Sequence, residues 1–204
     1  MKKIITLVAA MAFATTTFSQ WSINAGGNVS QFTGKDAQGG TKFGYQFGFT
    51  TYSTKLFSVQ PGLFLIGKGG KYANNNISLN YLQIPVNLML GYNVNEELRI
   101  VAGAGLYGSI GLWGKKGNDK INFFDVTDRF KALDFGWQFV IGAQWGRYGL
   151  RLNYQPALIG VRGSWDTGKS DFSGSRYKAF NNSFTFGVSY TFGDLEGTPP
   201  PPRR

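Results

Sequence analysis

Residues Gly103-Ala104-Gly105-Leu106-Tyr107-Gly108 have the spacing G-x-G-x-x-G, which can seat a dinucleotide pyrophosphate. That chemistry needs a strand before the glycines and a helix after them, so that backbone N–H groups and a helix N-terminus face the phosphates. Here the pattern stays extended as far as Leu112, and the glycines fit crowded positions on one strand face. General acid–base and metal chemistry are poorly supplied, because the chain contains no His and no Cys. The polar residues that share one face of the patterned segments are Arg99, Asp134 and Arg151, with Gln60, Gln83, Asn87, Gln138 and Asn153. Confined charges and amides must be paired or hydrogen-bonded. Their chemistry is therefore that of a closed polar network, with no catalytic group, no cofactor site and no metal site, and the chain is not expected to be an enzyme.

What positions such a face is an extended chain with a period of two. In Phe43-Gly44-Tyr45-Gln46-Phe47-Gly48-Phe49-Thr50 the aromatic rings occupy one face and Gly, Gln and Thr the other, a separation that helical spacing cannot produce. Asp134 to Gly146 and Tyr81 to Tyr92 repeat it. Eight segments of this kind are expected, at about 21–31, 43–53, 56–66, 79–92, 98–112, 134–146, 148–160 and 182–193. Short connections (53–55, 93–97, 146–148) alternate with long ones (32–42, 67–78, 113–133, 161–181). The predicted fold class is all-β, an eight-stranded antiparallel up-and-down transmembrane β-barrel, with the short turns periplasmic. Pro61, Pro85 and Pro156 fall inside these segments, where each deletes a ladder donor; bulges or local bends are expected there.

Face polarity separates this fold from a soluble ligand-carrying barrel, which would turn its apolar face inward. The apolar face is bulky and aromatic throughout, and eight strands enclose little space, so the small and amide residues belong inside. Charged residues are only 16% of the chain while Phe, Trp and Tyr together make up another 16%, consistent with side chains received by lipid rather than water. The start of the chain fits export: Met1-Lys2-Lys3 precedes an apolar run from Ile4 to Phe13, too short to span a bilayer. Residues 1–20 are expected to be a signal peptide, 21–193 the barrel, and 194–204 a disordered, proline-rich periplasmic tail.

The last segment carries Thr185, Gly187, Tyr190 and Phe192 in a pattern that resembles the C-terminal β-signal read by the outer-membrane insertion machinery. In physical terms it is the strand that must pair with the first to remove both sheet edges. More widely, Phe57-Ser58-Val59-Gln60-Pro61-Gly62-Leu63, Leu79-Asn80-Tyr81-Leu82-Gln83-Ile84-Pro85-Val86, Ala102-Gly103-Ala104-Gly105, Asp134-Phe135-Gly136 and Leu152-Asn153-Tyr154 resemble the small PorT-like outer-membrane β-barrel family of Gram-negative bacteria. The resemblance implies fold and location. Some members of that family are associated with protein secretion, and they share no established substrate. Gly62 stands where the family often has Glu, which removes any acidic lumen role at that position.

The long connections hold thirteen Lys or Arg against six Asp. Lys68, Lys71, Lys115, Lys116, Lys120, Lys131 and Lys178 are thus expected to make the outer loops basic. The partners expected are outer-membrane lipid, anionic lipopolysaccharide, the barrel insertion machinery and a protein partner at the loops, with no nucleic acid. The expected function is a plugged barrel in a structural, surface-interaction or secretion-assembly role; the alternative is a passive small-solute channel.

Overall fold

The computed structural model describes residues 20–33, 40–72, 75–116, 119–121, 133–158 and 180–193. The expected signal peptide (apart from Gln20), the tail beyond Gly193, and Lys131 and Lys178 lie outside the described residues. The strands are β1 (Gln20–Thr33), β2 (Thr41–Tyr52), β3 (Phe57–Tyr72), β4 (Asn75–Asn93), β5 (Leu98–Lys116), β6 (Asp119–Ile121), β7 (Leu133–Trp145), β8 (Tyr148–Gln155) and β9 (Phe180–Phe192). Every pairing is antiparallel, and the ring β1-β2-β3-β4-β5-β7-β8-β9 closes through β1–β9, from Trp21↔Phe192 to Thr33↔Phe180. This is a closed eight-stranded barrel. The three-residue β6 only flanks the outer end of β5.

Alternation holds along the strands. In β7 the burial alternates from exposed Leu133 through buried Asp134 and Gly136 to buried Val140, with Phe135, Trp137, Phe139 and Ile141 outside. Trp and Tyr gather at the two ends of the outer surface. Trp21, Tyr92, Trp145 and Tyr148 mark the short-turn end, and Tyr45, Trp113, Trp137 and Tyr154 the other. On β4 the apolar outward run from Leu82 to Tyr92 covers about 33 Å of strand at ~3.3 Å per residue. At the usual barrel tilt that becomes a band about 25 Å tall, the height of an outer-membrane hydrocarbon layer. The aromatic belts sit where amphipathic rings meet headgroups.

Three local features refine the expected elements. The two-residue turn Gly146-Arg147 places Gly146 at φ 51°, a left-handed conformation open to glycine. At the next short turn, the Asn95 carboxamide accepts hydrogen bonds from the Glu97 and Leu98 N–H groups (3.0 and 2.7 Å). On β5 the register jumps from Tyr81↔Gly111 to Asn80↔Trp113, so Leu112 is an extra residue and both Leu112 and Trp113 face out. The bulge therefore lies away from the prolines. Pro61 sits just past the last β2–β3 pair, Thr50↔Gly62, and Pro85 lies within a gap in the β3–β4 ladder between Pro61↔Val86 and Phe64↔Gln83. Pro156 lies outside β8, which ends at Gln155.

The expected long connection 67–78 is corrected by the structure. It is two strand ends, β3 running to Tyr72 and β4 starting at Asn75. Its Gly- and Asn-rich composition reads as loop, but the glycines serve close approach. Beyond Gln46↔Ile66 the β2–β3 ladder stops, and β3 leans over the lumen against the inner face of β1. Asn28 Nδ2 donates to the Gly67 carbonyl (2.6 Å), and Ser30 Oγ both donates to the Gly69 carbonyl (2.9 Å) and accepts from the Gly69 N–H (2.8 Å). A Cβ at Gly70 would meet the Phe32 ring at 2.8 Å.

Candidate functional site

The lumen is the place where the polar residues converge. Alternation points the even residues of β3 and β8's odd residues inward, and the small eight-strand circumference brings opposite walls within side-chain reach. Three cationic side chains enter it at three depths.

Nearest the long-connection end, Lys68 of β3 reaches Asp134 of β7, with Nζ 3.4 Å from Oδ2 and both side chains fully buried. The Tyr107 hydroxyl lies 3.5 Å from Asp134 Oδ1, and Lys68 Nζ stands 4.3 Å from the Tyr107 ring centroid. Around this pair the lumen is packed with buried Phe32, Ile66, Ile77, Leu79 and Tyr81. An ion pair in such surroundings holds only because each charge has its partner. Lys68 is thus a correction to the expected basic outer loops: it is 1% exposed, on the inward phase of β3. Lys71 likewise belongs to β3, opposite Asn76. Lys115 and Lys116 continue β5, and Lys120 belongs to β6; of this group, Lys115 is exposed.

Closer to the short turns, Arg151 of β8 donates through Nη1 to Gln60 Oε1 (2.7 Å). Strands β8 and β3 stand diametrically opposite in the ring, so this contact crosses the full lumen. Gln60 in turn donates to the Thr51 carbonyl (2.6 Å). At the short-turn mouth, Arg99 donates to Asn93 Oδ1 (2.7 Å) and to the Lys55 carbonyl (2.5 Å). The remaining expected members are inside as well: Ser109 donates to Gln83 (3.3 Å), Gln155 to Gln138 (2.9 Å), Asn153 to Thr185 (2.8 Å), and Asn87 is buried. Arg99 and Asp134 do not pair; each is met by a different wall.

The closing strand β9 has two faces. Thr185 and Gly187 are on its inner phase, while Tyr190 and Phe192 are outside. Tyr190 packs edge-on between Phe192 (4.9 Å between centroids) and Tyr148 (5.4 Å), tying β9 to β8 at the membrane rim. The glycines of the G-x-G-x-x-G stretch lie within β5, Gly103 and Gly105 facing Met89 and Asn87 and Gly108 in open space. No helix follows them, since β5 continues to Lys116.

The apolar lumen residues went unrecognised in the sequence. The signal was present: Phe64, Ile66, Lys68 and Gly70 continue the inward phase of Gln60 without a break, but a run of Gly and Lys looks like the end of a strand.

Comparison with known proteins agrees with this geometry. The family described as "Outer membrane protein beta-barrel domain" matches residues 4–192. Among solved structures, Neisserial surface protein A superposes with a TM-score of 0.54 at 11% identity, covering 84% of this chain and 97% of that one. Ail, the attachment invasion locus protein of Yersinia pestis, in complex with the heparin analogue sucrose octasulfate, gives 0.45 at 10% identity (85% and 98% covered). The N-terminal β-barrel domain of Pseudomonas aeruginosa OprF gives 0.41 at 10% (85% and 98%). No curated protein sequence matches the chain. With its closed ring, lipid-facing belts and a family match over most of its length, this chain belongs to the outer membrane protein β-barrel domain family and is an eight-stranded barrel of the outer membrane.

Proposed function

We propose that the barrel is a plugged, non-conducting scaffold that anchors a basic outer surface in the outer membrane, in a surface-interaction or secretion-assembly role, and is not an enzyme. The observation that carries this reading is the Lys68–Asp134 bridge, set among buried aromatic and aliphatic side chains where an aqueous pore would have to open. Below it, Arg151–Gln60 crosses the same lumen, and Arg99 lies over Gly91 of β4 at the short-turn mouth, where it holds the Lys55 carbonyl. Eight strands leave an interior just wide enough for side chains to fill. The secretion-assembly component rests on the PorT-like resemblance. The outer partners that fit are anionic, lipopolysaccharide first, facing the β3–β4–β5–β6 extension that carries Lys71, Lys115, Lys116 and Lys120. Thr185, Gly187, Tyr190 and Phe192 suit recognition by the insertion machinery as the closing strand.

The test is planar-bilayer recording of the purified barrel. The plugged reading expects no stable conductance steps at physiological salt. Reproducible unitary steps from wild-type protein would replace it with the passive small-solute channel.

A further inference from the structure

Lumen charge is unbalanced. Lys68, Arg99 and Arg151 all reach into the interior, and among the described residues the one ion pair is Lys68–Asp134. Asp134 is occupied at the long-connection end. Arg99 still has neutral partners on both outer nitrogens, a side-chain carbonyl and a backbone carbonyl. Arg151, deeper in, donates from Nη1 to the neutral carboxamide oxygen of Gln60. A guanidinium removed from bulk water without a counter-charge is costly, and a single amide oxygen offsets little of that.

Arg151 also borders a cavity. It is lined from around the ring by polar Asn24, Gln46, Thr50, Asn87, Arg151 and Asn153 with the Phe64 ring, and its volume is about 10 Å³. Gly142 and Gly187 stand opposite Arg151 on its two neighbouring strands; a Cβ at Gly142 would crowd the Arg151 stem at 3.3 Å, and one at Gly187 would meet the Gln46 amide nitrogen at 3.0 Å. The lining is rich in amides that can present N–H groups. Asn153 is bonded to the Thr185 hydroxyl, which can donate as readily as accept, so exchanging the amide's O and N turns its second, buried polar atom into a donor aimed at the same region. Asn87, also in the lining, has a buried carboxamide oxygen without a hydrogen-bond partner, which an exchange of its O and N would replace with a donor.

The geometry points to a monatomic anion site in the lumen, in which a chloride-class halide lies beside the Arg151 guanidinium and accepts from the surrounding amides and the Thr50 hydroxyl. Size bounds the class: the cavity holds about one water, so a halide enters only as the single occupant in that water's place, and sulfate, phosphate or a carboxylate does not fit. Charge sets the sign, since a cation would meet Arg151 at short range in a low-dielectric interior. The site is structural and does not require a conducting path.

The experiment uses the full barrel refolded in detergent and in lipid. Its urea unfolding midpoint is measured in sodium chloride and in sodium gluconate at matched ionic strength, for wild type and Arg151→Gln, and crystals are grown in sodium bromide for anomalous diffraction. A binding site raises the wild-type midpoint in chloride over gluconate, abolishes that difference in Arg151→Gln, and gives a bromide peak beside the Arg151 guanidinium. Equal wild-type midpoints in the two salts, together with no bromide peak in the cavity, overturn the proposal and leave water as the occupant. If Arg151→Gln fails to refold, the bromide map of wild type decides alone. Conductance is read separately, so a silent barrel with no halide site sinks this inference and leaves the plugged scaffold standing.

Discussion

The Lys68–Asp134 pair shows how one side chain changes the meaning of a segment. Both members are fully buried, and the apolar packing around them leaves no solvent to take over if either is removed. Truncating one partner of such a pair costs about 3–5 kcal/mol, because the other charge stays buried alone, whereas replacing both by apolar groups of similar volume is close to neutral. Lys68→Met should therefore destabilise the refolded barrel by roughly that amount in urea titrations, and Lys68→Met with Asp134→Leu should regain most of it. A single mutant within about 1 kcal/mol of wild type would mean that the bridge contributes nothing to holding the lumen shut.

Among the elements, the extension of β3, β4 and β5 with β6 is where the barrel departs from a plain cylinder. Its register sets Lys115 opposite Lys120 and next to Ser78 on β4. Like charges directly across a ladder are unfavourable, while the next pair, Lys116↔Asp119, sets opposite charges across it; the register leaves a net positive charge at the outer end, just beyond the rim residue Trp113. Reversing Lys115, Lys116 and Lys120 to Glu should weaken binding of the barrel to lipopolysaccharide-containing vesicles about tenfold or more at low salt and flatten its salt dependence, by loss of screened attraction. Unchanged affinity and salt slope in a co-sedimentation assay would show the lysines to be solvated bystanders. The same extension explains why Gly67, Gly69 and Gly70 are needed: β1 side chains hydrogen-bond directly to this stretch of β3 backbone, and Phe32 occupies the space a Cβ at Gly70 would take.

For the molecule as a whole, the decisive property is which face meets hydrocarbon. Phe47, Leu88, Ile141, Leu150, Phe186 and Val188 are all exposed on the outer surface, far more contiguous apolar area than a water-soluble monomer shows. Depth along that surface should be measurable. Ile141→Arg, in the middle of β7's outward row, is expected to cost about 2–4 kcal/mol, while Tyr148→Arg at the rim costs about 0–1 kcal/mol. Urea unfolding from lipid vesicles compares the two, and equal penalties would contradict a hydrocarbon band between the aromatic belts.

Alternation by itself determined the strands and their two faces, and the polarity of those faces determined which one looks outward. A two-residue period sorts the residues onto two faces, and the bulky aromatic face cannot fill the narrow interior of eight strands, so Gln60, Gln83, Asn87, Arg99, Asp134, Gln138, Arg151 and Asn153 were legible as lumen residues in the sequence. Partners were not legible. Lys68 and Asp134 are 66 positions apart and Gln60 and Arg151 are 91 apart, and which side chains meet depends on shear, on the bulge at Leu112 and on how far β3 leans inward past Ile66. These are properties of the closed ring. A strand's sequence says which way a side chain points, and only closure brings the opposite wall within its reach.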